Sequence, residues 1–442
     1  MSAVLAFPQS RSVGTIIDTS RERDASRMMR AWAISGLLFM LLPGTFLGVW
    51  NLISISSARG GAGALSPAWM QAHGHAQVFG WIGSFILGIG FFSLPRAAMP
   101  TMSRAWTSWA LWTGGVVLRW AINVYAWHWR IGLPLSAAME LTAWGISFAT
   151  SSRHRRAHSS EGKRGAPPTW MLVVLFATLM FGIALAVNFA ATLWCAVSGN
   201  GPAFPHVFDQ RFLVLLGWGF LAPFVWGFSA RWLPIFLGLG PVRSRWLIAA
   251  VLAGFGGVLS AAVGVLTIAT LLIANACIFA VIAMRVFEPG ERLAKSEGVH
   301  ASFPVFLRAS YVWLLIAAGL GMWAARADMS GGIWGASRHA LTVGFVSTMV
   351  FAIGQRILPH FAGVRTLFSK HLMLASLVLL TVGCALRVSC EPLAYEGFSR
   401  FAWKVLPISA VTELCAVTVF ALHLFCTFQF SQPIAEKPSH GR

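Results

Sequence analysis

The stretch Ala72-His73-Gly74-His75-Ala76-Gln77-Val78-Phe79-Gly80-Trp81 sets two imidazoles at the head of an apolar run long enough to cross a membrane. Successive helical residues turn by about 100°, so His73 and His75 face nearly opposite sides of one helix. One metal ion cannot easily take both. Either the pair serves two centres, one on each side, or the helix is unwound at Gly74, or one imidazole is only an interfacial hydrogen-bonding group.

Outward from this stretch the chain stays apolar. Of 442 residues, 57% are hydrophobic and 11% charged, with 21 Trp, which marks an integral membrane protein rather than a soluble one. The net charge of +19 does not point to nucleic acid, because the basic residues sit in short loops between apolar runs and form no stripe. The six cysteines include no Cys-x-x-Cys and no Cys-x-x-Cys-His, which argues against covalently attached haem and against a zinc ribbon.

Apolar runs fall near 31–55, 73–94, 105–127, 129–150, 169–196, 206–229, 245–262, 265–287, 303–325, 335–357, 371–390 and 404–427. The expectation is an all-α polytopic membrane protein: about twelve transmembrane helices in a single bundle over 31–427, between polar tails at 1–30 and 428–442. The seventh and eighth helices are divided at Val263-Gly264-Val265 on length alone. Most basic residues fall in alternate loops, so both termini are expected on the cytoplasmic side of a bacterial-type inner membrane. The last outer loop, with Arg400 and Lys404 beside Glu391 and Glu396, fits this orientation least. The longest inner loops, 151–168 and 288–302, divide the chain into three groups of four helices. A six-plus-six carrier usually has its long loop after helix six, so this spacing counts against one.

On this topology His73 and His75 start helix two, His206 starts helix six and His339 starts helix ten, with His128 at the same outer level. Imidazole is the natural ligand for haem iron and copper within a bilayer, so these five are the candidate metal ligands. His360, His371 and His423 lie toward the inner face. Arg119, Arg338 and Arg387 fall in the outer half and can hold haem propionates, or Arg119 pairs with Glu140. Asp209, three residues after His206, can orient that imidazole. Glu140 or Glu413 could belong to a proton route. The glycines that follow the histidines mark either close helix packing or the backbone approach of a flat macrocycle.

Several of these segments resemble the NnrS family: His73-Gly74-His75 with Phe79-Gly80, Arg338-His339-Ala340-Leu341-Thr342-Val343-Gly344 continuing to Arg356 and Gly363, and Trp226-Gly227-Phe228-Ser229 through Pro234. The resemblance implies a membrane protein holding haem and copper, linked to denitrification and relief of nitric oxide stress, with His73, His75 and His339 as metal ligands. Nitric oxide or another small gas is the expected ligand, and an electron donor is the partner that a reductase reading requires. One departure is Gln77, in a neighbourhood where many members carry an acidic residue.

Histidines on helices two, six and ten are also similar to the catalytic subunit of haem-copper oxidases and nitric oxide reductases. Here helix seven has no histidine, helix ten has one, and helix six has no tyrosine. The expectation is haem on His339 with one of His73 and His75, and a second metal on the other with His206 and His128. Reduction of nitric oxide or oxygen, and proton-coupled transport, are the rival functions.

Overall fold

The computed structural model describes residues 16–58, 65–92, 102–159, 167–361, 364 and 366–430. Among these residues the chain forms twelve helices and no strand: α1 (16–57), α2 (67–92), α3 (Met102–Tyr125), α4 (Trp129–Ser159), α5 (Thr169–Ser198), α6 (His206–Phe236), α7 (Ser244–Ala262), α8 (Leu266–Met284), α9 (Phe303–Ala327), α10 (332–361), α11 (Lys370–Tyr395) and α12 (Ala402–Phe430). Nine of them are long and apolar enough to cross a membrane. The remaining three, α2, α3 and α4, carry Gln71, His73, His75, Gln77, Arg119, Asn123 and Glu140, which lower their hydropathy.

The division of the long apolar stretch falls where length placed it. α7 ends at Ala262 and α8 starts at Leu266, with Gly264 between them at φ +87°, a backbone conformation that side-chain-bearing residues rarely adopt. The boundary expected at residue 30 falls inside α1, whose Met28 and Met29 are buried. Residues 1–15 and 431–442 of the two expected tails, and Gly363, lie outside the described residues.

Helices adjacent in sequence pack against each other, and α12 packs on α1 to close the bundle. A wide π turn recurs inside it. In α2 it follows Pro67–His75 and spans Ala76–Gly83; in α6 it follows His206–Val214 and spans Leu215–Leu221; in α10 it follows Gly332–His339 and spans Ala340–Ser347. The lead-in is nine, nine and eight residues long. The second helix of each four-helix group thus repeats one irregular geometry, a form rare in helices and frequent at functional sites. A fourth π turn, Met40–Phe46 in α1, contains Pro43, which has no N–H for the helical ladder.

Aromatic rings fill the centre. Phe79 of α2, Trp112 of α3, Phe181 of α5 and Phe220 of α6 form one ladder, with Phe181 and Phe220 stacked at 4.2 Å. A second runs through Trp81 of α2, Phe351 of α10 and Phe420 of α12, the last two stacked at 3.8 Å. Gly80, Gly83, Gly88 and Gly344 lie against Phe39, Trp112, Trp32 and Trp313, where a Cβ would collide with the ring. These four glycines serve helix packing.

Candidate functional site

α2 starts with Pro67, whose fixed φ suits the first turn, and stays regular through His75; a Cβ at Gly74 would meet nothing within 4 Å. The helix is not unwound at Gly74, so the two imidazoles go to different neighbours. His73 turns toward α1. Its Nδ1 lies 2.8 Å from the Gly44 carbonyl oxygen, which therefore takes the Nδ1 proton, and its ring rests on Gly48, where a Cβ would come within 2.6 Å of Cε1. Nε2 of His73 has no hydrogen-bond partner among the described residues. His75 turns the other way: its Nε2 lies 2.7 Å from Oε1 of the buried Glu140 and its ring stacks on Phe79 at 4.4 Å. The carboxylate takes the nitrogen that a helical histidine most readily offers to a ligand.

His339 closes the regular part of α10. Its Nδ1 lies 3.1 Å from the Gly335 carbonyl oxygen and 3.5 Å from Oε2 of Glu391, leaving Nε2 without a partner among the described residues. Arg387 Nη2 donates to Glu391 Oε1 at 3.0 Å. His73 is close enough to His339 and Arg387 for their charges to interact, and Glu413 stands in the same field with His339, Arg387 and Glu391. Away from this cluster α2 packs on α1 and α3 while α10 packs on α9 and α11. α2 meets α10 in its inner half, where Trp81 lies edge-on to Phe351.

Several polar atoms of this cluster are unpaired among the described residues, as are Nε and Nη1 of Arg119 and Oε2 of Glu140 in the His75 layer. Nε and Nη1 of Arg387, Oε2 of Glu391 and Oε1 of Glu413 are buried without a hydrogen-bond partner among the described residues. Buried polar groups are nearly always satisfied, so these atoms are donors and acceptors available to a bound group. Two imidazoles with anchored Nδ1 and open Nε2, beside a guanidinium with spare donors, suit a haem iron and its carboxylate arms.

The remaining sequence candidates separate. Arg119 is 2% exposed, lies over the Phe204 ring at 4.7 Å, and leaves Nε and Nη1 unbonded. It does not pair with Glu140, which His75 holds. Both belong to a layer on the far side of α2 from His73, roofed by the α5–α6 loop: Gln71 bonds Phe204 through both its amide atoms, and Asn123 donates to Ala68 and Pro202 carbonyls. Arg338 bonds Gln210 of α6 and interacts with Asp209, so Asp209 faces Arg338 as well as His206.

His206 is the first residue of α6, exposed, nine residues before the π turn, whereas His75 and His339 immediately precede theirs. At 1.5 Å per residue it lies about 12 Å further out, so the expectation of one common depth is corrected. His128 is exposed in the α3–α4 turn at φ 40°, where its carbonyl accepts from Ile131 and Gly132 to start α4. Among the described residues no group of three or more His, Cys, Asp or Glu side chains is placed to hold a metal ion. The donor set expected for a second metal, one of His73 and His75 with His206 and His128, is not assembled among the described residues.

Glu391 is the residue that the sequence misplaced. It was expected in an outer loop with Arg400 and Lys404, but α11 continues to Tyr395 and buries it to 5% exposure. The signal was available as Gly383, Arg387 and Glu391 at i, i+4 spacing, which places them on one helical face. Glycine marks these seats generally: Gly48 under His73, Gly115 under Glu140, Gly335 under Glu391 and Gly383 under Glu413.

Comparison with known proteins fits this architecture. Residues 216–424 match a domain family of unknown function, DUF8744. No curated protein matches the chain. Among solved structures, that of a haem-copper terminal oxidase dimer superimposes with a TM-score of 0.55 at 13% identity, covering 93% of this chain and 85% of that one. The chain is a multi-pass α-helical membrane protein with a distant likeness to the haem-copper oxidase fold.

Proposed function

We propose that this protein is a membrane haem protein in which His73 and His339 would hold the iron. The observation that carries the reading is the matched state of these imidazoles: each has Nδ1 on a main-chain carbonyl and Nε2 without a partner among the described residues, and each precedes a π turn, His339 by one residue and His73 by three. Arg387, with two unused donors, is the nearer candidate for a haem carboxylate; Arg338 is engaged by Gln210, and Arg119 faces the His75 layer. All twelve helices span the bilayer in this reading, with both termini cytoplasmic. The NnrS-like motifs support a role in the response to nitric oxide or in haem handling, with nitric oxide as gas ligand and a separate electron donor.

Bound haem would supply one-electron exchange and, where one histidine yields, a position for a diatomic gas. The chain's own residues would hold the imidazoles in one tautomer, keep them in an apolar layer, and balance the carboxylates. Copper is not supported by the side chains: no three-residue donor group is present among those described. The threefold recurrence of the π turn also favours this fold over a six-plus-six carrier.

The test is the oxidised and dithionite-reduced spectrum of the purified protein, with iron and copper quantified. One six-coordinate low-spin haem is expected, and it should be lost in both His73→Ala and His339→Ala. Haem content unchanged in either variant would refute the ligand assignment.

A further inference from the structure

Among the described residues two histidines pair with a buried carboxylate, and the pairs are built in opposite senses: His75 is buried with Glu140, whereas His339 is part-exposed beside Glu391. In the first, Glu140 occupies Nε2 of His75, which leaves only the nitrogen nearest the histidine's own backbone. In the second, Glu391 approaches Nδ1 of His339 from behind and leaves Nε2 open. A carboxylate on the rear nitrogen of an imidazole fixes its tautomer and orientation and raises the basicity of the front nitrogen. The carboxylates therefore sort the histidines into one that is closed to a ligand and one that is prepared for it.

We infer that Glu391 is the positioning residue for His339: its carboxylate, held by Arg387 and seated over Gly335, keeps the proton on Nδ1 and places negative charge behind the ligating imidazole. This rests on the reading of His339 as a residue that would hold the haem iron. Three features of the chain support it. Arg387 and Glu391 are one turn apart on α11, so the helix aims the carboxylate across to α10. Gly335 is one turn before His339, and a Cβ there would strike the carboxylate, so that glycine makes room for the acid that serves the histidine. Oε2 of Glu391 has no hydrogen-bond partner among the described residues and lies 3.5 Å from Nδ1, beside the Gly335 carbonyl oxygen that Nδ1 also faces.

The experiment is redox titration of the haem-loaded full-length protein, comparing wild type with Glu391→Gln and Gly335→Ala. The first variant removes the charge; the second displaces the carboxylate without removing it. Negative charge behind the ligand favours the oxidised iron, so both variants should raise the midpoint potential. An about tenfold fall in the oxidised-to-reduced ratio at fixed potential, about 59 mV for one electron, is the expected size. The ferric electron paramagnetic resonance signal should change with it. If Glu391→Gln does not fold, Gly335→Ala carries the test with the same expected sign. Full haem content with unchanged potential and signal would overturn the positioning role and leave the haem reading standing. Absence of haem from the wild type would instead overturn the haem reading itself.

Discussion

Two histidine clusters lie at opposite ends of the same three helices, α10, α11 and α12, and they are finished differently. At the inner end His423, fully buried, donates from Nδ1 to Gln355 Oε1 at 2.5 Å and accepts at Nε2 from the Ser369 N–H at 3.3 Å. Gln355 then donates to Phe351 O, and Thr427 joins His423 O to the Phe368 N–H. Both imidazole nitrogens are used. At the outer end His339, Arg387, Glu391 and Glu413 leave several buried atoms without partners. A closed network fixes a structure; an open one leaves groups available to a ligand.

The largest expected effect that would break this contrast is on the open cluster, where His339→Ala should abolish haem binding. Next, Gly48→Ala introduces a Cβ that must displace the His73 ring. Haem affinity should fall on the order of 10–100-fold, as for loss of a ligand's supporting contact; titration of haem into the haem-free variant measures it. At the closed cluster, His423→Ala strands Gln355 and Ser369 and opens a cavity. It should cost about 3 kcal/mol of stability, seen as a lower thermal midpoint in detergent, while the absorption spectrum stays unchanged. A spectral change there would erase the distinction between the two ends. The smallest effects belong to His206→Ala and His128→Ala, for which haem and metal content should equal wild type; a loss in either would restore the second-metal centre that these residues do not assemble in the fold.

A second contrast, within the repeated π turns, sharpens the first. The position just before the turn is His75 in α2, His339 in α10 and Val214 in α6. Val214 and Trp218 instead line an apolar cavity of about 20 Å3 between α6, α8, α9 and α10. Its two hydroxyls are satisfied within the protein, Ser337 on Ala317 O and Thr270 on Leu266 O. One geometry thus carries imidazole in two copies and only apolar side chains in the third.

The number of helices was legible in the chain because a spanning helix must satisfy its backbone internally and bury about twenty apolar residues, a local and additive requirement met outright by nine of the twelve; helix ends were legible only in part, since α1 begins before residue 30 and α11 runs past Glu391. The break at Gly264 and the opposite orientation of His73 and His75 follow from the same local geometry. Which imidazole meets which partner was not legible. That depends on Gly44 and Gly48 of α1, Glu140 of α4 and Glu391 of α11 coming to α2 and α10 across the bundle. Periodicity fixes the direction of a side chain about its own helix axis, but the neighbour it meets there is chosen by how the helices pack. The depth of His206 was lost for a related reason: the position of the π turn, which sets the register of each repeat, leaves no clear mark in composition. Sequence alone therefore determined a bundle with histidine-bearing helices; only the tertiary structure separated the closed imidazoles of His75 and His423 from the open pair, His73 and His339.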